Sequence, residues 1–203
     1  IGEILTLLKE LKIDDNTIFF LCGDNGGQPY FKNNAHPHGF FAPNLNPDNG
    51  ERFRAGKGSL YEGGLKVPMY VRWPNKIKAG SVNDHMFYFP DIMPTLADIA
   101  KTETPETDGI TILPTLLGHG KQKNHDYFYW EYLKQTALRM DQWKLYRKSA
   151  QSPWELYELS KDIEELNNIA KDHPGVLKKM IALTEEAHEP IRPGIIYDKE
   201  LAF

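Results

Sequence analysis

The sequence predicts an α/β body followed by a small antiparallel sheet packed on a closing amphipathic helix, and three observations predict it. A helical apolar pattern at the start runs through a short turn into an all-apolar strand, as in a layered α/β arrangement. Short aromatic-rich runs between residues 127 and 159 are separated by turn residues, the signature of a meander. Over residues 173–188 apolar positions again recur at helical spacing.

The first element is a helix in which Ile4, Leu5, Leu7, Leu8 and Leu11 share one face, with Glu3, Lys9, Glu10 and Lys12 on the other, so it is expected to pack against another layer. Asp14, Asp15 and Asn16 supply the turn into residues 17–22. That run is expected to be a strand buried on both faces, as in a parallel sheet, with Cys22 a buried structural thiol. From residue 23 to 58 the pattern gives way to Gly, Asn, Pro and isolated aromatics, too long for a simple connector and therefore a functional loop.

Residues 67–73 form a second short strand closed by Pro74, and residues 89–100 a helix with Asp91 in its first turn, where negative charge suits the helix dipole. A Thr-, Glu- and Pro-rich link at 101–109 leads to an apolar segment at 110–117. A boundary near 118–124 then separates 1–123, the end of an α/β domain, from 124–203, a small α+β subdomain. In the latter, residues 127–132, 136–140, 143–147 and 155–159 are the four strands, and Val176, Leu177, Met180, Ile181 and Leu183 form the apolar line of the helix.

Composition narrows the function classes. Apolar residues make up 40% and charged residues 26% of the 203, the balance of a globular protein that buries a core. The 24 basic against 28 acidic residues, net −4 and without a basic run, argue against a nucleic-acid partner. No apolar run approaches the roughly 20 residues of a membrane span. One cysteine excludes an internal disulfide framework. The chain opens on Ile1 directly into a helix, without a start methionine or leader pattern, and is expected to begin inside a longer protein.

Two motifs carry chemistry. Gly23, Asp24, Asn25, Gly26 and Gly27 follow the first strand, where ligands collect in open α/β sheets; Asp24 and Asn25 offer oxygens to a hard cation and the glycines permit close backbone approach. The same residues also make an ordinary Asx turn. Gly56, Lys57, Gly58, Ser59, Leu60, Tyr61, Glu62, Gly63 and Gly64 place a compact positive charge on a yielding backbone, suited to an oxyanion; a solvated loop lysine is the plainer alternative. The spacing is not that of a phosphate P-loop.

Taken in order, strand, Asp-Asn-Gly-Gly, long loop, Gly-Lys-Gly-Ser-Leu-Tyr-Glu-Gly-Gly, a Val67-Pro68 strand, Trp73-Pro74 and Asp91-Ile92-Met93-Pro94-Thr95-Leu96 resemble the type I, formylglycine-dependent sulfatase family. The likeness extends from residue 1 to about residue 168, with Asp162 and Glu164 to Asn168 a loose match to the family's acidic and asparagine-rich tail. It implies the C-terminal part of an alkaline-phosphatase-like α/β sulfatase domain, and hydrolysis of a sulfate ester, carbohydrate by preference, with release of inorganic sulfate. By the same resemblance Asp24 and Asn25 would be ligands of one divalent cation, Ca2+, and Lys57 would contact the sulfate in catalysis. His36, His38, Arg52 and Arg54 sit in the loop between the motifs, where a sulfated sugar needs donors, and are substrate contacts or solvated loop residues; His85 matches a position that faces substrate in relatives and is a substrate contact or a structural histidine. Glu62 is expected to be structural, bonding loop backbone.

In the family a formylglycine made within Cys/Ser-x-Pro-x-Arg is the nucleophile. That pattern does not occur in this chain. The resemblance therefore also implies an N-terminal portion of the same sulfatase as partner, an isolated chain without turnover, and a periplasmic or secreted setting. Two other readings stand beside it: a phosphatase or phosphodiesterase of the same superfamily, against which the lack of histidine in the motif argues, and a non-catalytic binder of sulfated glycans. The aromatics of the meander are expected to be core, with Trp130 and Glu131 possible rim residues.

Overall fold

The computed structural model describes residues 1–28, 45–46 and 49–190, and its elements are, in chain order, α1 (Gly2–Glu10), β1 (Phe19–Cys22), α2 (Glu62–Leu65), β2 (Met69–Arg72), α3 (Ile92–Ala100), α4 (Leu113–Leu117), β3 (Phe128–Tyr132), β4 (Gln135–Met140), β5 (Trp143–Arg147), β6 (Glu155–Glu158) and α5 (Pro174–Ala187). They fall into two compact units: Ile1–Cys22 with Pro68–His125, and the described parts of Gly23–Val67 and Asp126–Phe203. No described helix is long and apolar enough to cross a membrane.

In the first unit β1 and β2 form a two-stranded antiparallel pair, from Phe19 opposite Arg72 to Cys22 opposite Met69. This corrects the expected parallel-sheet strand: an all-apolar run says that both faces want burial but not which way the neighbour runs. With one neighbour among the described residues, Phe19, Phe20 and Leu21 are only half-buried and Cys22 is exposed, not a buried thiol. An apolar groove of about 530 Å³, lined by Phe20, Cys22, Met69, Ile92, Met93 and Leu96, opens beside the pair. On α1, Leu5 and Leu8 are half-buried while Ile4, Leu7 and Leu11 stay exposed, so its apolar face is not covered by another layer of the described chain. Asp14, in the turn before β1, accepts both terminal nitrogens of Arg72 at 2.7 and 2.8 Å.

Asp91 organises the rest of this unit. Its carboxylate is fully buried and accepts the N–H groups of Tyr88 (3.0 Å) and Ile110 (2.7 Å) as well as His125 Nε2 (2.8 Å). The Thr95 hydroxyl donates to the Asp91 carbonyl at 2.6 Å and accepts the Ile112 N–H at 2.9 Å. Asp91 and Thr95 together therefore staple residues 110 and 112 to the start of α3. Lys101 ends α3 in the left-handed region at φ 56°.

In the second unit β3-β4-β5-β6 form the expected meander, antiparallel throughout. Side chains alternate across a strand, and both faces of this sheet are covered. Leu138, Leu145 and Leu156 point to one face, where Met180, Val176, Leu177 and Ile181 of α5 complete a core. Ala137 and Tyr146 point to the other and pack with Leu60, Tyr61 and Leu65. Fully burying each large apolar side chain contributes about 1.5–3 kcal/mol, so the double coverage explains why the aromatic residues Phe128, Tyr146 and Tyr157 are interior rather than a sugar platform.

Candidate functional site

The site is built within the second unit from the segment after β1 and the loop that leads into α2. The Gly26 N–H donates to the Gly64 carbonyl at 3.0 Å, and the Lys57 N–H donates to the Gly27 carbonyl at 2.9 Å. These two bonds lay the Asp24-Asn25 segment and the Lys57 loop side by side. Only glycine permits the approach: a Cβ at Gly26 would stand 1.7 Å from the Gly63 carbonyl oxygen, and one at Gly64 would stand 2.0 Å from that of Ser59.

The loop itself is held in several ways. Ser59 N–H returns to the Gly56 carbonyl at 3.1 Å, and Gly58 takes φ +86°, a conformation open to glycine. Gln135, at the start of β4, straps it from outside, accepting the Leu60 N–H at 3.2 Å and donating to the Gly58 carbonyl at 3.0 Å. Lys57 is exposed at the tip of a loop whose backbone is tied down on both sides.

Asp24 is exposed and Asn25 half-buried; the Asn25 side-chain NH2 donates to the Gly26 carbonyl at 3.1 Å, a bond that does not use its side-chain carbonyl oxygen. Two hard oxygens fit a hard cation in kind, though not in number: such ions take about six to eight oxygens. Among the described residues no group of three or more His, Cys, Asp or Glu is placed to hold a metal. Asp24 and Asn25 thus lie on a segment whose backbone is paired with that of the loop carrying the exposed Lys57.

The remaining sequence candidates part company. Arg54 points inward: its guanidinium lies 3.9 Å from the Tyr61 ring centre, donates to Tyr157 Oη at 2.9 Å and to the Glu165 carbonyl at 2.5 Å, and sits 3.8 Å from Glu155. Burial would lower its pKa, but the surrounding tyrosines and Glu155 outweigh this and hold it above the usual arginine value. Its Nη1 thus serves the fold, while the side chain keeps 36% exposure. Arg52 N–H donates to Glu164 at 3.3 Å. His85 belongs to the first unit, half-buried near Asp91 and His125; burial pushes its pKa down, opposed by Asp91. His36 and His38 lie outside the described residues.

Glu62 is structural as expected, but its partners are side chains. It is 4% exposed, and Oε1 receives Lys144 Nζ at 2.8 Å while Oε2 receives Arg139 Nη1 at 3.0 Å. Burial pushes its pKa up, but Lys144 and Arg139 outweigh this and hold it below the usual value. A second buried carboxylate, Glu165, accepts the Glu62 N–H at 2.8 Å through Oε2 and faces Lys144 at 3.5 Å through Oε1. The legible signal for this cluster is Lys144 itself, a lysine between Trp143 and Leu145 inside a short strand.

Comparison with known proteins supplies the context. The sequence model of a family described as N-sulphoglucosamine sulphohydrolase, C-terminal, matches residues 50–189. The N-acetylgalactosamine-6-O-sulfatase of Bacteroides thetaiotaomicron is 34% identical over 91% of this chain and 39% of its own length. The structure of Ps i-CgsB in complex with k-i-k-neocarrahexaose is similar with a TM-score of 0.75 and 28% identity, over 98% of this chain and 42% of that one. The structure of BT4656 in complex with D-glucosamine-2-N,6-O-disulfate gives 0.67 and 27%, over 92% and 37%. The chain thus spans about two fifths of the length of these relatives.

Proposed function

This chain belongs to the sulfatase family, and on that premise we propose that the protein containing it hydrolyses a sulfate ester, on a carbohydrate, and releases inorganic sulfate. Asp24 and Asn25 supply two oxygens to a divalent cation, Ca2+, and Lys57 contacts the sulfate group. When bound, such a cation neutralises charge on the sulfate oxygens and holds them in place. Lys57 adds a point charge at an oxygen that gains negative charge as the ester bond breaks, an interaction worth more in the transition state than in the ground state.

The observation that carries this reading is the backbone pairing of Gly26 with Gly64 and Lys57 with Gly27, which brings together two polar motifs far apart in sequence. The complexes of Ps i-CgsB with a neocarrahexaose and of BT4656 with a disulfated glucosamine support a carbohydrate as substrate class. The nucleophile is expected to be a formylglycine, and its Cys/Ser-x-Pro-x-Arg pattern lies outside this sequence. Reading the natural coding sequence for that pattern, and assaying sulfate release from sulfated sugars by the protein at its natural length, tests the proposal. Absence of the pattern together with absence of release would instead favour a non-catalytic glycan binder. The 203-residue chain alone should not turn over an activated aryl sulfate.

A further inference from the structure

We propose that Glu62 is a positioning residue, anchored by Lys144 and Arg139 on the meander so that α2 holds Lys57 in register with the Asp24-Asn25 segment. This rests on the sulfate-site reading above. α2 has only four residues, too few to persist through its own hydrogen bonds. Yet its backbone is the bracket for both motifs. Gly64 receives the Gly26 N–H, the Gly63 N–H donates to the Arg54 carbonyl at 2.8 Å, and a Cβ would stand 2.3 Å from the Arg54 carbonyl oxygen at Gly63 and 2.0 and 2.6 Å from those of Ser59 and Gly56 at Gly64. Whatever fixes α2 fixes the site.

What fixes it, besides the apolar contacts of Tyr61 and Leu65, is ionic. Glu62 meets Lys144 from β5 and Arg139 from β4, while its N–H is taken by Glu165 from the segment after β6. Lys144 and Glu165 are completely buried, and Glu165 Oε1 has no hydrogen-bond partner. Such a cluster is a poor choice for stability alone, since an apolar set of similar volume usually does as well or better. Its distinguishing property is direction: two carboxylates and two cations fit in one arrangement, whereas packed leucines tolerate small shifts. Glu62 itself is buried with both oxygens engaged, so it acts through α2 and not on the substrate.

Amide hydrogen exchange on this chain tests the bracket without reference to activity. Glu62→Gln keeps the shape and removes the charge. The Gly26 and Lys57 amides should then exchange about tenfold faster or more, with the β4–β5 ladder changed by less than about threefold. In the protein at its natural length, kcat for an aryl sulfate should fall about tenfold with KM within about twofold, and Glu62→Asp should recover most of the loss. Unchanged exchange at Gly26 and Lys57, or uniform acceleration through the sheet, would overturn the inference, as would faster exchange with kcat unchanged. If the Gln variant does not fold, Arg139→Gln removes the less buried partner and carries the same test. Lys57→Ala separates the two ideas: retained turnover would sink the sulfate reading, whereas the exchange result stands on its own.

Discussion

Lys57 and Gly27 share a backbone hydrogen bond of 2.9 Å, donated by the lysine amide, although they stand 30 positions apart in the sequence. The backbone that carries the second motif is thereby paired with the backbone that carries the first, whatever rotamers their side chains adopt.

That geometry depends on bare glycine. Gly26→Ala would place a methyl 1.7 Å from the Gly63 carbonyl oxygen, a backbone atom that cannot rotate aside. We expect a loss of about 2–3 kcal/mol in urea unfolding. Gly2→Ala, where a Cβ meets nothing within 4 Å, is the control and should be neutral or mildly stabilising. Equal behaviour of the two variants would contradict the close approach.

Lys144 is the cation shared by Glu62 and Glu165. Lys144→Met leaves buried negative charge without its partner and should cost about 3–5 kcal/mol. Adding Glu165→Gln restores the balance, leaving Glu62 with Arg139, and should recover more than half of that loss. A double variant no more stable than the single one would show that charge pairing is not what the lysine supplies.

Glu165 gives a pH signature. Burial pushes its pKa up to about 7 from 4.5, Lys144 opposes this, and Glu62 adds to it. Because the folded-state value is the higher one, the folded chain binds the proton more tightly. Its contribution to stability is complete below pH 4.5 and is lost as pH rises towards about 7. His85, with its pKa lowered by burial, acts with the opposite sign, so the difference between wild type and Glu165→Gln isolates the carboxyl. Stability of the two chains should converge at the acid end of the window and diverge towards neutral pH, the wild type losing more. Parallel curves would refute the assignment.

Asp91 serves two backbone N–H groups and His125 from a fully buried position. Asp91→Ala should cost about 3 kcal/mol or more, since buried donors lose their acceptor. The amides of Ile110 and Ile112 should lose exchange protection before those of β4 and β5. Retention of their protection would place the staple elsewhere.

Sequence patterning reached furthest where local periodicity and packing agree. Trp143–Arg147 emerged with the expected ends, and α5 within a residue at either side, because alternation and helical spacing each pointed to a core that exists. β1 was legible as a strand but not as an antiparallel one, because an apolar run carries no record of its neighbour's direction. The exposed face of α1 was illegible for a similar reason: amphipathicity asks for a covering layer without saying which chain segment provides it. In the site, the Asp24-Asn25 and Lys57 motifs stood out by residue type. For Arg54, nothing local announces that Tyr61, Tyr157 and Glu155 will surround its guanidinium. The Glu62–Lys144–Glu165 cluster joins residues from three distant segments, and no window of sequence contains it.

The most direct test is a crystal structure of the protein at its natural length with Ca2+ and inorganic sulfate. The account predicts the cation bound by Asp24 and Asn25 oxygens at about 2.3–2.6 Å, and the sulfate beside it within hydrogen-bond reach, about 2.7–3.2 Å, of Lys57 Nζ. A cation or sulfate bound away from these three side chains, with the Asp24-Asn25 segment and the Lys57 loop still paired, would contradict it.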